Sequence, residues 1–128
     1  MNDLIYKRAK HVITENARTL QAKTALQNGD WKQFGTLMNE SHESMKTDYQ
    51  VSCPEIDFLA DLAQKFDGVY GSRLTGGGFG GCTVTLVERE RAGDLVECLR
   101  KEYREKWIGC ECTCFVTSPG PGARSYVI

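Results

Sequence analysis

The sequence predicts an α+β fold, with helices packed on one face of a mostly antiparallel sheet. Three observations carry that prediction. The first half of the chain repeats apolar residues at spacings of three and four, the period of a helix. After Gly68 the period changes to two, the period of a strand. Tight turn signals separate the strand-like runs, as hairpins require. The 128 residues are few enough for one domain, 1–128, with a helical part over about 3–67 and a sheet-containing part over about 68–128. A chain of this size buries about two-thirds of its surface on folding and needs no staples.

The first helix is read from Ile5, Ala9, Val12, Ile13, Ala17 and Leu20, which share one face and are expected to pack inward. His11 reads as a plain helix-surface residue. Asn28-Gly29 stops this helix, because glycine accepts the left-handed conformation that ends helices. Asp30 with Gln33 three residues on forms a capping signal for a second helix. Trp31, Phe34, Met38, Ser41 and Met45 form its stripe, with Leu37 beside it and His42 near it. Asp48 to Ser52 reads as a connector, in which Asp48 and Tyr49 anchor the loop. Pro54 suits a first helical turn, and either Ser52 or Cys53 caps the third helix. Ile56, Leu59, Leu62, Ala63 and Phe66 give that helix its apolar face, and Asp67-Gly68 ends it.

Val69 to Leu74 predicts a strand, and Cys82 to Val87 alternates as a second one. Between them, Gly76 to Gly81 holds five glycines in six residues. A fourth helix follows from the spacing of Ala92, Leu95, Val96, Leu99, Tyr103 and Trp107, with Gly109 as its stop. Glu111 to Thr117 reads as a third strand, Pro119 to Gly122 as a turn, and Arg124 to Ile128 as an edge strand. The order ααα-β-loop-β-α-β-β is most like the ferredoxin-like class.

Composition excludes several function classes. Sixteen Lys and Arg against seventeen Asp and Glu leave a net charge of −1, which does not suit a general polyanion binder, so no nucleic acid is expected. Hydrophobic residues make up 41% and charged residues 26%, a balance that argues against disorder. The first fifteen residues carry Asp3, Lys7, Arg8 and Lys10 and do not resemble a secretory signal, so a cytoplasmic location and no membrane are expected. Six cysteines accompany that reading. Cys110, Cys112 and Cys114 lack the two-residue spacing of zinc ligands and read as buried packing, so no metal is expected on this chain.

The glycine loop is the functional candidate. Thr75, Gly76, Gly77, Gly78, Phe79, Gly80 and Gly81 let the backbone come close to another surface and aim several amides at one anion. Gly76, Gly78 and Gly81 match a dinucleotide pattern, but that pattern must open a helix and here it runs into a strand. Gly76 and Gly81 match the outer glycines of a phosphate loop, but Cys82 stands where its lysine belongs. Arg73, the cation nearest the loop, either meets a phosphate or pairs on the strand surface. Thr75 donates its hydroxyl to a ligand or caps a turn.

The string Gly71-Ser72-Arg73-Leu74-Thr75-Gly76-Gly77-Gly78-Phe79-Gly80-Gly81-Cys82-Thr83 resembles the third motif of galactokinases, sugar kinases of the GHMP superfamily. Ser41 to Tyr49, Val51 to Asp57, and His11 to Asn16 with Arg18 are similar to galactokinases in the same order. The resemblance implies the fold of a GHMP kinase C-terminal domain. It also implies a parent reaction that transfers the γ-phosphoryl group of ATP, with Mg²⁺, to the C1 hydroxyl of galactose. The sugar-binding motif, Ser-rich phosphate loop, metal ligand and base of the family's N-terminal lobe have no counterpart here. The resemblance therefore implies no catalytic residue in this chain and no activity without that lobe. It assigns Thr75 to Gly81 to the phosphate- and substrate-proximal loop, working through backbone amides with Phe79 as a packing wedge. Arg73, His42 and Tyr49 are possible accessories. The alternatives are a non-catalytic galactokinase-like sensor or binding module, or a lobe of another GHMP small-molecule kinase. A lobe alone exposes its former interlobe surface, so self-association is expected.

Overall fold

The structure, a computed structural model, describes residues 2–123 and 125. Four α-helices pack against a two-stranded antiparallel sheet. The helices are α1 (Asp3–Gln27), α2 (Trp31–Ser44), α3 (Pro54–Gln64) and α4 (Ala92–Lys106), and the strands are β1 (Val69–Thr75) and β2 (Cys82–Val87). Asn2 caps α1 by accepting from the Leu4 amide, and Asp30 caps α2 by accepting from the Gln33 amide. One π-helical turn, Met45–Tyr49, extends α2 and ends at Gln50 in a left-handed conformation. The expected connector over Asp48 to Ser52 is therefore half helical. Cys53 occupies the cap position of α3, while the Ser52 hydroxyl donates to the Asp57 carboxylate instead.

The register is set by pairs such as Arg73 with Val84 and Thr75 with Cys82, with a bulge between Val69 and Gly71. One face of the sheet meets the helices. Leu74 joins Met45 and Ile56 in one core cluster, and Val69 and Val87 pack against a second built on Ala63, Leu95 and Leu99.

α2 crosses β1 at backbone contact. A Cβ on Gly35 would lie 2.0 Å from the Tyr70 carbonyl oxygen, and one on Gly71 would lie 2.3 Å from the Gly35 carbonyl oxygen. Two facing glycines thus remove the side chains that would hold helix and strand apart. At that distance α2 reaches the strand's outer edge. Asn39 accepts from the Ser72 amide at 2.9 Å and His42 Nδ1 from the Leu74 amide at 3.1 Å. Gln64 of α3 donates to the Ser72 carbonyl, and Arg73 Nε donates to the Leu74 carbonyl. The polar groups that an edge strand normally leaves open are therefore filled by side chains.

Three expectations are corrected. The apolar stripe of α1 faces outward: Ile5, Val12, Ile13 and Leu20 are exposed, while His11, Glu15, Arg18, Ala22 and Ala25 face α2 at spacings of four and three. Those polar residues have partners inside, which the outer stripe lacks among the described residues. His11 is accordingly no surface residue. It is buried, stacks on Tyr49 and is hydrogen bonded to Ser44 Oγ. Glu111 to Thr117 forms no strand. Its Cys114 carbonyl accepts from Arg100, and its Cys112 thiol points at the Leu99 carbonyl, so the segment packs along α4. The edge strand expected over Arg124 to Ile128 lies outside the described residues, Ser125 apart, which forms none.

Gly35→Ala and Gly71→Ala should each cost about 3 kcal/mol, because the methyl group meets backbone rather than a movable side chain. Gly93→Ala in α4, where a Cβ meets nothing within 4 Å, should instead stabilise by about 0.5 kcal/mol. Urea denaturation of the three variants measures both signs.

Candidate functional site

The loop from Gly76 to Gly81 joins β1 to β2 and is held at one point. The Phe79 amide donates to the Val51 carbonyl at 2.6 Å. A Cβ on Gly78 would lie 2.6 Å from the same oxygen. Val51 follows the π-helical turn and packs on the cluster of Met45, Ile56 and Leu74, so the loop is pinned to the core. Gly76, Gly78, Gly80 and Gly81 have φ between 82° and 130°, a region in which side chains are strained. Phe79 itself stands at φ 59° and is 77% exposed. The described residues leave it largely uncovered.

Gly77 differs from its neighbours. Its φ is not left-handed, and a Cβ there would meet nothing within 4 Å. Nothing within the described residues requires a glycine at this position. No hydrogen bond among the described residues takes the amides of Gly76, Gly77 or Gly80. The outer side of the loop is thus bare backbone with free donors. The Phe79 amide, by contrast, is spent on Val51.

His42 lies against the end of β1 and is buried. Since Nδ1 accepts from Leu74, Nε2 carries the proton of the neutral ring. It faces Asp57 Oδ1 at 3.1 Å, which also accepts from Ser52, with Lys46 at 3.8 Å from the other oxygen. This chain links α2 and α3 to the last residue but one of β1. Arg73 projects from the other face of the strand and pairs with Glu15 at 3.6 Å. Glu15 also accepts from Ser41 and pairs with Arg18, which lies 3.5 Å from Glu40. Arg73 therefore meets a carboxylate across the interhelical gap. Tyr49 turns on to His11 and sits with the Lys10–Asp48 ion pair. Thr75 lines a cleft of about 550 Å³ between α1, α2 and the open face of the sheet. Arg73, Phe34, Leu37 and Val84 line the cleft, and Thr117 to Pro119 bound it.

The described residues hold no group of three or more His, Cys, Asp or Glu side chains able to bind a metal, and the loop carries no acid. Val51 holds the loop itself, while Asn39 and Gln64 hold β1 at Ser72, roles that the sequence pattern does not announce. Gly35, Asn39 and His42 at spacings of four and three were a signal: a glycine and two polar residues on one helix face.

The hairpin is thus bridged by glycines, pinned to the helical layer at Val51 and free of side chains at Gly76, Gly77 and Gly80. The family model for GHMP kinases C terminal matches residues 22–105, and the chain belongs to that family. Within it the chain is similar to galactokinases. It is 47% identical to human galactokinase over 119 residues, covering 93% of this chain and 29% of that protein. It is 51% identical to the galactokinase of Roseiflexus sp. (strain RS-1) over 115 residues, covering 90% and 29%. The crystal structure of Lactococcus lactis galactokinase complexed with galactose superposes with a TM-score of 0.82 at 41% identity, covering 86% of this chain and 28% of that one. The chain thus spans under a third of the length of these relatives.

His42→Leu should cost about 2 kcal/mol, since it orphans the Leu74 amide and removes a partner of Asp57. Gly78→Ala should cost a similar amount, about 2 kcal/mol, through clash and strain. Gly77→Ala should change stability by less than about 0.5 kcal/mol. Thermal and urea melts of the three variants test the contrast.

Proposed function

We propose that this chain is the C-terminal lobe of a galactokinase, which transfers the γ-phosphoryl group of ATP to the C1 hydroxyl of galactose. The observation that carries the reading is Gly77, a glycine with no reason inside its own lobe, in a loop pinned from behind and bare in front. An N-terminal lobe, present in the additional length of the relatives, supplies the phosphate loop, the Mg²⁺ ligand and the base. Mg²⁺ neutralises phosphate charge in such a reaction, and this reading assigns its ligands to that lobe.

Phosphoryl transfer depends chiefly on positioning and on stabilising charge. The free amides of Gly76, Gly77 and Gly80 donate to anionic or hydroxyl oxygens at the cleft between lobes. The absence of side chains lets the second lobe close on the loop. Phe79 packs against that lobe, and Thr75 offers a hydroxyl at the loop's edge. Arg73 and His42 hold β1 in place and are positioning residues. Tyr49 acts through the packing of α1 on the turn that leads to Val51. The reading places the chain in the cytoplasm; no helix among the described residues is long and apolar enough to cross a membrane.

In the two-lobed protein, Gly77→Ala should lower kcat/KM by about 10- to 100-fold with folding intact, as expected when a surface is displaced by about an ångström. This chain alone should release no ADP from ATP and galactose above background. An unchanged kcat/KM in the first assay, or turnover by the lone chain in the second, defeats the reading.

The outward stripe of α1 supports an interlobe face left open here. Ile5, Val12, Ile13 and Leu20 place four large apolar side chains on one helix surface. The chain alone should self-associate, and Ile13→Lys should return it to monomer. Sedimentation velocity over a wide concentration range measures this, and a strict monomer throughout counts against it.

A further inference from the structure

The tail of the lobe brings together two thiols that the kinase reading does not use. Cys112 Sγ and Cys114 Sγ lie 3.7 Å apart on the segment that runs along α4. Both are half-buried, so a small reagent reaches them while bulk solvent is partly excluded. Cys114 packs against the cluster of Ala63, Leu95 and Leu99, and Cys112 points at the Leu99 carbonyl. Two thiols one residue apart on a regular strand are held by ladder hydrogen bonds, which keep the intervening residue extended. This segment forms no strand, and no hydrogen bond among the described residues engages the Thr113 backbone. Thr113 is free to bend, which is what closing the sulfurs to bonding distance requires.

We propose that Cys112 and Cys114 are a reversible dithiol–disulfide site, oxidised by a low-molecular-weight disulfide such as oxidised glutathione. A Cys114 thiolate attacks one sulfur of the reagent, forming a mixed disulfide and expelling one thiolate. Cys112 then loses its proton to solvent and attacks Cys114 Sγ, expelling the second thiol. Two protein thiols and one small disulfide give one protein disulfide and two small thiols, so electrons and protons balance. Burial, with the neighbouring Cys114 next in order, raises the Cys112 thiol to about 11, so the second step is slow at neutral pH. The ring is short, which strains the bond and makes it easy to reduce. The site therefore registers oxidising conditions and resets when thiols return. Closing it bends the segment that leads to Thr117, Ser118 and Pro119, the far wall of the cleft beside Thr75.

The test uses the full chain, incubated with oxidised glutathione, quenched with an alkylating reagent and weighed intact. The expected product has lost two hydrogens, carries no glutathione, and binds alkyl groups at two fewer thiols once unfolded. Excess reduced glutathione should restore the original mass. Cys112→Ser should trap one glutathione on Cys114, Cys114→Ser should abolish the two-hydrogen loss, and Cys110→Ser and Cys98→Ser should leave it unchanged. Circular dichroism checks that each variant is folded. Stable glutathione on the unmodified sequence with no loss of hydrogens, or abolition of the loss by Cys110→Ser or Cys98→Ser, overturns the proposal. The mass readout is independent of any kinase activity.

Discussion

The close crossing of α2 over β1 is the constraint on which the rest of the lobe depends. Only paired glycines let a helix and a strand touch along their backbones, and Gly35 and Gly71 meet at that point. Once they touch, Asn39 and His42 come within hydrogen-bond distance of the strand's outer amides. The edge is then closed to further strands. A buried amide without a partner costs about 1–3 kcal/mol, so these two side chains matter more than their number suggests. The same contacts hold Leu74, and through it the start of the glycine loop.

The loop is built on that base in an uneven way. Its inner side is tied to Val51, and its outer side carries no side chains at Gly76, Gly77 and Gly80. Rigid support behind and bare backbone in front is the arrangement that places amides accurately against a ligand or another surface. The paired ions and hydroxyls nearby tie together the elements that carry it. Glu15 joins α1, α2 and β1 by meeting Ser41, Arg18 and Arg73, and His42 joins α2, α3 and β1. The Glu15 cluster lines the cleft with its charges paired, and the His42 cluster lies against the end of β1.

α1 shows how an amphipathic pattern can be read correctly and placed wrongly. The spacing of Ile5, Val12, Ile13 and Leu20 does define one helical face. Which face turns inward depends on what lies across from it, and α2 offers Ser41, Ser44 and Glu40 to the other side. Polar residues with partners are then as acceptable inside as apolar ones. Glu111 to Thr117 illustrates the converse. Its alternation suits a strand, but the outer edge of β1 is filled and Arg100 takes the Cys114 carbonyl. The alternation serves packing on α4 instead.

The sequence by itself determined the helices, the two strands of the hairpin, their stops, the glycine loop and the likeness to galactokinases. Each of these is written in neighbours a few residues apart: caps, periodicity, turn glycines and one unusual string. Only the tertiary structure decided that His11 is buried, that α1 turns its apolar stripe outward, that α2 closes the edge of β1, and that Val51 pins the loop. Those outcomes depend on pairs separated by twenty to forty residues. A side chain's burial there is set by the partner it meets across the fold, which local pattern does not specify.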